Sequence, residues 1–384
     1  MKLVARTLAG LEEVLAKEIE EIGGTEIEIF NRAIEYQGDV RLMYKSNLWL
    51  RTAIDVLLPL SKFTANSEDE LYEKVQRINW SNYITSEKTF SITPIVHSSV
   101  FTHSHYASLK VKDAIVDQLR EKKGRRPNVN TENPDVKIML RISENKCSIL
   151  LNSSGQSLFK RGYRTYGGEA PINEVLAAGI IGLSEWDGKT PFIDPMCGSG
   201  TFPIEAAMKV RNVAPGIIRE EFGFMSWLDY REDIWELLKY EAKFAVKSSK
   251  TKIFAYDKSR QTIRTAEMNA DSIEEIKGAI EFEMKDFFKS EKPTEDGIIV
   301  TNPPYEIRIK TNNIEMFYEL IGNTLKHKWT GYDAWIISSN LDALKRLGLR
   351  PKKKIPLFNA QLESKLVHLP LYMGSKKAKK NTEE

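Results

Sequence analysis

The chain has 384 residues, 41% hydrophobic and 28% charged, with a formal net charge of +3. That is the composition of a globular protein with room for two or three domains, and it excludes a disordered or fibrous chain. Cys147 and Cys197 supply neither a disulfide framework nor a spaced metal set, so a reducing cytoplasm and no bound metal are expected. No apolar run approaches the length of a membrane span, and Met1–Arg6 lacks the apolar core of a secretory signal, so no membrane partner is expected. The small net charge hides an asymmetry. Residues 1–96 carry 11 Lys/Arg against 15 Asp/Glu, residues 97–168 carry 13 against 6, and residues 169–384 balance at 32 against 32. The middle excess points to a surface for a polyanion.

In chain order, Lys2–Arg6 reads as a strand. Leu11, Val14, Leu15, Ile19 and Ile22 then recur at helical spacing, until Gly23-Gly24 stops the helix. Glu26–Phe30 and Ala33–Tyr36 read as strands, Val40–Leu48 as a helix and Thr52–Leu60 as a strand. This βαββαβ order is ferredoxin-like and is assigned to residues 1–61. A second α+β unit is expected over residues 62–160. Its pieces are a helix Glu68–Ile78, a strand Thr89–Val96, a long helix from Tyr106 to Leu119, and paired strands Val136–Ile142 and Cys147–Leu151. The long helix ends in a basic run containing Lys122, Lys123, Arg125 and Arg126.

Residues 161–170 read as a linker. Lys160, Arg161 and Arg164 interleave there with Tyr163 and Tyr166, a pattern suited to phosphate contact and to stacking on unpaired bases. The third domain is placed at residues 171–373, followed by a Lys-rich tail at 374–384. It opens with a helix and then carries the most informative stretch, Phe192-Ile193-Asp194-Pro195-Met196-Cys197-Gly198-Ser199-Gly200-Thr201. Apolar residues run into an acid, a glycine turn and a helix start, as at the entry of a nucleotide-binding α/β sheet. Gly198 and Gly200 let backbone approach a ligand, and the N–H groups opening the next helix are donors without helical partners.

The following strand, Lys252–Tyr256, ends in Asp257, placed to hold ribose hydroxyls although it lies 57 positions past Gly200. The usual spacing is roughly 20 residues. The intervening Phe222, Phe224, Trp227, Tyr230, Trp235 and Tyr240 are expected to form a packed helical insertion. A third strand, Ile280–Met284, leads to Asp286 and Phe287, an acid for an exocyclic amine and an aromatic for a ring face. The fourth, Gly297–Thr301, delivers Asn302-Pro303-Pro304-Tyr305. The prolines stop the ladder and hold the Asn oxygen and nearby carbonyls as acceptors, while Tyr305 can stack on a planar group. A fifth strand, Ala334–Ser338, and a hairpin of Lys353–Phe358 with Glu363–Leu369 complete the domain.

Taken together, Asp194–Thr201, Asp257, Asp286-Phe287 and Asn302–Tyr305 resemble the class I S-adenosylmethionine-dependent methyltransferases that act on a planar exocyclic amine. The preceding half looks like ferredoxin-like and THUMP RNA-binding domains. The whole is similar to bacterial 23S rRNA guanine-N2 methyltransferases, some of which carry a second methyltransferase domain that is not expected in this chain. A glycine would be expected after Asn359, where the chain has Ala360. The resemblance implies an α/β fold: a Rossmann-like, seven-stranded, mostly parallel sheet behind the ferredoxin-like and THUMP domains. It also implies S-adenosyl-L-methionine as cofactor, bound by Asp194, Met196, Cys197, Gly198, Gly200, Thr201, Asp257, Asp286 and Phe287.

Catalysis would fall to Asn302, Pro303, Pro304 and Tyr305, and RNA contact to Lys122, Lys123, Arg125, Arg126, Lys160, Arg161 and Arg164. Cys197 reads as a packing residue rather than a nucleophile. The expected partner is rRNA, with tRNA as the alternative. Adenine N6 and protein glutamine are further planar amines served by the same Asn-Pro-Pro-Tyr, and a non-catalytic RNA-binding assembly factor is the rival of another class.

Overall fold

A computed structural model describes residues 1–164, 171–304 and 314–372, with Lys123 by its backbone alone. The expectations for Tyr166, the boundary after Gly167, Tyr305 and the tail from Gly374 lie outside the described residues. The described chain divides into two compact units. Met1–Thr7, Leu15–Lys160 and Arg219–Glu241 form the first, and Leu8–Val14, Arg161–Ile218 and the residues from Ala242 onward form the second.

The first unit is built on one seven-stranded sheet. In chain order its elements are β1 (Lys2–Arg6), α1 (Glu12–Glu21), β2 (Thr25–Phe30), β3 (Ala33–Gln37), α2 (Val40–Trp49) and β4 (Asp55–Thr64). Then come α3 (Glu68–Gln76), β5 (Phe90–His97), α4 (Ser104–Lys123), β6 (Val136–Ser143) and β7 (Lys146–Asn152). The sheet order is β2-β3-β1-β4-β7-β6-β5. The ferredoxin-like and THUMP parts, expected to divide at residue 61, are therefore halves of one sheet. That boundary falls inside β4, whose free edge pairs antiparallel with β7 from Leu57 opposite Asn152 to Thr64 opposite Lys146. Joining the halves removes two sheet edges that would otherwise expose unpaired backbone.

The aromatic insertion expected in the third domain folds with this first unit instead. Phe224 stacks on Tyr44 of α2 at 4.1 Å, and Phe222 and Trp235 close the cluster at 5.1 Å from one another. Glycine is required for that docking. A Cβ on Gly223 would lie 2.6 Å from the Asn152 carbonyl oxygen, and one on Gly155 would lie 2.8 Å from the Gly223 nitrogen. Tyr240, expected among the packed rings, is exposed.

The second unit carries α5 (Glu174–Leu183), β8 (Phe192–Asp194), α6 (Thr201–Val210), the end of α7 (Glu232–Phe244), β9 (Ile253–Asp257), α8 (Arg260–Asp271) and β10 (Glu281–Met284). It continues with β11 (Gly297–Thr301), α9 (Ile314–Lys328), β12 (Tyr332–Ser338), α10 (Leu341–Lys345), β13 (Lys353–Asn359) and β14 (Leu362–Pro370). The sheet order is β10-β9-β8-β11-β12-β14-β13. Strands β8 to β12 run parallel, and β14 pairs antiparallel with both β12 and β13. This is the seven-stranded, mostly parallel sheet expected. Its central strands are buried on both faces, which is why β11 reads Ile-Ile-Val without alternation. Ala360 turns the β13–β14 hairpin at φ +55°, the left-handed conformation that explains the expectation of glycine there.

Candidate active site

Parallel pairing of β8, β9, β10 and β11 brings the polar residues at their carboxyl ends to one edge of the sheet. Four expected site segments thus come together: Asp194 to Thr201, Asp257, Asp286-Phe287 and Asn302 to Pro304. Backbone bonds shape the glycine turn. The Cys197 N–H donates to the Tyr256 carbonyl at 2.8 Å, and the Gly200 N–H donates to the Cys197 carbonyl at 2.9 Å. Gly198 has φ +54°, and a Cβ there would meet nothing within 4 Å, so its outer side is open for a ligand. Gly200 has φ +85° and is backed by Ala266 of α8, whose Cβ lies 3.0 Å from where a Gly200 Cβ would be.

Helix α6 begins at Thr201 with no side-chain cap. Of its first three residues only Thr201 and Phe202 carry an N–H, because Pro203 has none. Met196 and Gly198 are partly exposed. The turn is therefore an open backbone cradle backed by a helix start, suited to a polar or anionic ligand group.

The carboxylates differ in role. Asp194 is 2% exposed, and its Oδ1 accepts from the Thr301 hydroxyl at 2.8 Å and the Met196 N–H at 3.2 Å. Burial, with nearby Asp257 adding repulsion, pushes its pKa up to about 7 against those two bonds. This burial makes Asp194 a brace between the turn and β11. Thr301 was not among the expected site residues. The available signal was a hydroxyl closing an otherwise apolar strand just before Asn302.

Asp257 is partly exposed, with Oδ2 accepting from the Gly198 N–H at 3.3 Å and Oδ1 from the Ser259 N–H at 2.9 Å. Its remaining lone pairs suit a diol. Asp286 is also partly exposed and accepts from the Phe288 N–H at 3.0 Å. Asn302 and Pro304 are half-buried, and Pro303 is buried.

Several expected roles change. Phe287 is 4% exposed and packs in the core 5.8 Å from Trp329, so its ring offers no face for stacking on a base. Cys197 packs with Ala255, Ile263 and Ala266. Burial and two nearby carboxylates hold its thiol well above the ordinary range, which is the wrong direction for a nucleophile.

Arg161 and Arg164 are the largest correction. Arg161 is 2% exposed and pairs with Glu205 of α6 at 3.3 Å, so it presents no charge to a polyanion. Arg164 is engaged by Glu174 of α5 at 3.1 Å and by the Thr201 hydroxyl at 2.8 Å. Four of the other expected RNA contacts sit on the surface. Lys122, Arg125 and Arg126 are exposed at the end of α4, and Lys160 is exposed at the end of the first unit. No helix of the described residues is long and apolar enough to cross a membrane.

The strand order, the glycine turn after β8 and the Asn-Pro-Pro after β11 are those of a class I, S-adenosylmethionine-dependent methyltransferase. Three family descriptions match successive parts of the chain: the RlmL ferredoxin-like domain over residues 2–57, the THUMP domain over 65–152 and the RMKL-like methyltransferase domain over 161–368.

A candidate RNA methyltransferase of Synechocystis sp. is 35% identical over 370 residues, covering 96% of either chain. The ribosomal RNA large subunit methyltransferase K/L of Cellvibrio japonicus is 35% identical over 93% of this chain, which spans only 49% of that protein. The crystal structure of SMU.472, a candidate methyltransferase complexed with SAH, superposes with a TM-score of 0.86 at 29% identity, covering 97% of this chain and 99% of the other. The chain belongs to the RMKL-like methyltransferase family.

Proposed function

We propose that the protein methylates the exocyclic N2 of a guanosine in 23S rRNA, using S-adenosyl-L-methionine. The observation that carries the reading is the juxtaposition of Asn302-Pro303-Pro304 with the open Gly198 turn, at the ends of the neighbouring strands β11 and β8. The THUMP match and the K/L relatives support RNA, and the large-subunit rRNA in particular, as the polymer.

The cofactor supplies a methyl group activated on a sulfonium. The protein's part is to hold donor and acceptor in line. The Gly198–Gly200 turn and the α6 N–H groups would take the polar methionine end, Asp257 the ribose hydroxyls and Asp286 the adenine amine. Guanine N2 is a weak nucleophile because its lone pair is delocalised into the ring. Asn302 Oδ1 and the Pro303 carbonyl would accept its two hydrogens, turning the lone pair towards the methyl group and stabilising charge as it develops on nitrogen. Tyr305 would stack on the base. A paired base cannot enter such a site, so the target is unpaired or flipped out. Lys122, Arg125, Arg126 and Lys160 would contact phosphates.

The test is transfer of labelled methyl groups to naked 23S rRNA and to tRNA, followed by nucleoside mass analysis. N2-methylguanosine from 23S rRNA is expected. Label confined to tRNA, or found in N6-methyladenosine, overturns the substrate. Cofactor binding without transfer to any RNA favours a non-catalytic assembly factor. Asn302→Ala is expected to cut kcat by roughly 10³-fold with cofactor binding retained, on the scale of removing a preorganised polar group from a transition state.

A further inference from the structure

The segment 161–164 arrives at α6 with two arginines and a tyrosine, and the structure turns all three inward. Arg161 Nε lies 3.3 Å from Glu205 Oε1, to which the Tyr163 hydroxyl also donates at 3.2 Å. Glu205 is 1% exposed. Arg164 spreads its guanidinium over three acceptors. Nη1 lies 3.1 Å from Glu174 Oε1, while Nη2 donates to the Ile172 carbonyl at 3.1 Å and to Thr201 Oγ1 at 2.8 Å. Thr201 and Glu205 are four residues apart on α6 and so share a face. The segment therefore grips two successive turns of one helix face, the first of them immediately behind the glycine turn.

We propose that Arg164 is a positioning residue of the cofactor site. Resting on the methyltransferase reading, this assigns Arg164 to holding the first turn of α6, through Thr201 and Glu174, in the form that receives the methionine end of S-adenosylmethionine. Three features argue for it. The guanidinium geometry serves three acceptors from two different segments, which a lysine ammonium cannot match in a plane. Because Thr201 Oγ1 accepts from Arg164, its own hydroxyl proton is directed elsewhere, so Thr201 is a donor to its surroundings. Burial raises the Glu174 pKa while Arg164 opposes the rise, as in a pair that stays matched.

The test separates this role from RNA contact. Affinities for S-adenosylmethionine and S-adenosylhomocysteine are measured by calorimetry, and affinity for a 23S rRNA fragment by filter binding. Wild type is compared with Arg164→Lys, Arg164→Gln, Thr201→Ser and Thr201→Val. Arg164→Gln is expected to weaken both cofactor forms by roughly 10- to 100-fold, the worth of a charged hydrogen-bond set. KM for the cofactor should rise more than kcat falls, and RNA affinity and its salt dependence should be unchanged. Arg164→Lys should rescue part of the loss. Thr201→Ser, which keeps the acceptor, should lose less than Thr201→Val.

If circular dichroism shows Arg164→Gln unfolded, the Thr201 pair carries the same test, since equal cofactor affinity in Thr201→Ser and Thr201→Val rejects the assignment. Reduced RNA affinity with unchanged cofactor affinity in the Arg164 variants also overturns it. Failure of the wild type to bind either cofactor form sinks the methyltransferase reading and this inference together. Wild-type binding matched by every variant sinks the inference alone.

Discussion

The end of α4 and the segment 161–164 look alike in sequence and end up in opposite environments. Lys122, Arg125 and Arg126 stand in solvent, where their charge is available to a polyanion. Arg161 and Arg164 are neutralised by Glu205 and Glu174, which lie in two otherwise apolar helix segments, Glu-Val-Leu-Ala-Ala and Pro-Ile-Glu-Ala-Ala. A local run of cations fixes charge but not its destination. The destination depends on which buried carboxylates need a partner, since an unpaired charge in a core costs several kcal/mol.

The sharpest way to break the comparison is to remove the buried acid. Glu205→Ala leaves Arg161 charged in the interior and is expected to destabilise the protein by about 3–5 kcal/mol. Replacing both partners, Arg161→Met with Glu205→Leu, should recover most of that loss in urea unfolding. If the single and double variants are equally damaged, the pair is not what holds the segment.

A buried acid held by a hydroxyl and an amide, rather than by a guanidinium, should behave differently. Asp194 has its pKa raised to about 7 in the folded protein, above its unfolded value. The native state therefore holds a proton there that the unfolded chain has lost. The stabilising contribution is complete below about pH 4 and disappears as pH rises to about 7, by at most about 1.4 kcal/mol per pH unit. Asp194→Asn should flatten that part of the stability curve. An unchanged slope between pH 4 and pH 7 would remove Asp194 as its source.

The smallest effect on the fold is expected at the exposed cluster. Lys122→Ala, Arg125→Ala and Arg126→Ala combined should change stability by no more than about 0.5 kcal/mol. The same triple variant should weaken RNA binding and lower the slope of log affinity against log salt by about two. A large stability loss with intact RNA binding would reverse the two clusters' roles.

Much of the architecture was legible because it rests on local patterns. Helical spacing in Leu11–Ile22, the apolar run of β11 and the glycines at 198 and 200 each force a conformation within a few residues. The convergence of the candidate residues was legible where they sit at strand ends, as with Asp257, Asp286 and Asn302, which parallel pairing brings to one edge of the sheet. A residue's role was obscure where it depends on distant packing. Phe287 follows an acid at a strand end, yet its ring is absorbed by Trp329, more than 40 positions away. Thr301 is an ordinary strand residue until Asp194 turns towards it. The glutamates in α5 and α6 were the missed signal for Arg161 and Arg164, because an acid in an apolar helix must find a cation or shed its charge.

The docking of Phe222, Phe224 and Trp235 on Tyr44 has a consequence for how the chain is made. During synthesis, all seven strands of the first sheet emerge by Asn152, but the aromatic lid over α2 does not exist until Trp235 has been added. Until then, Tyr44 and its neighbours face water with their cover missing. A fragment ending at Lys160 would stay in that condition permanently. It should be prone to self-association, and an otherwise complete first sheet would remain dependent on residues encoded far downstream.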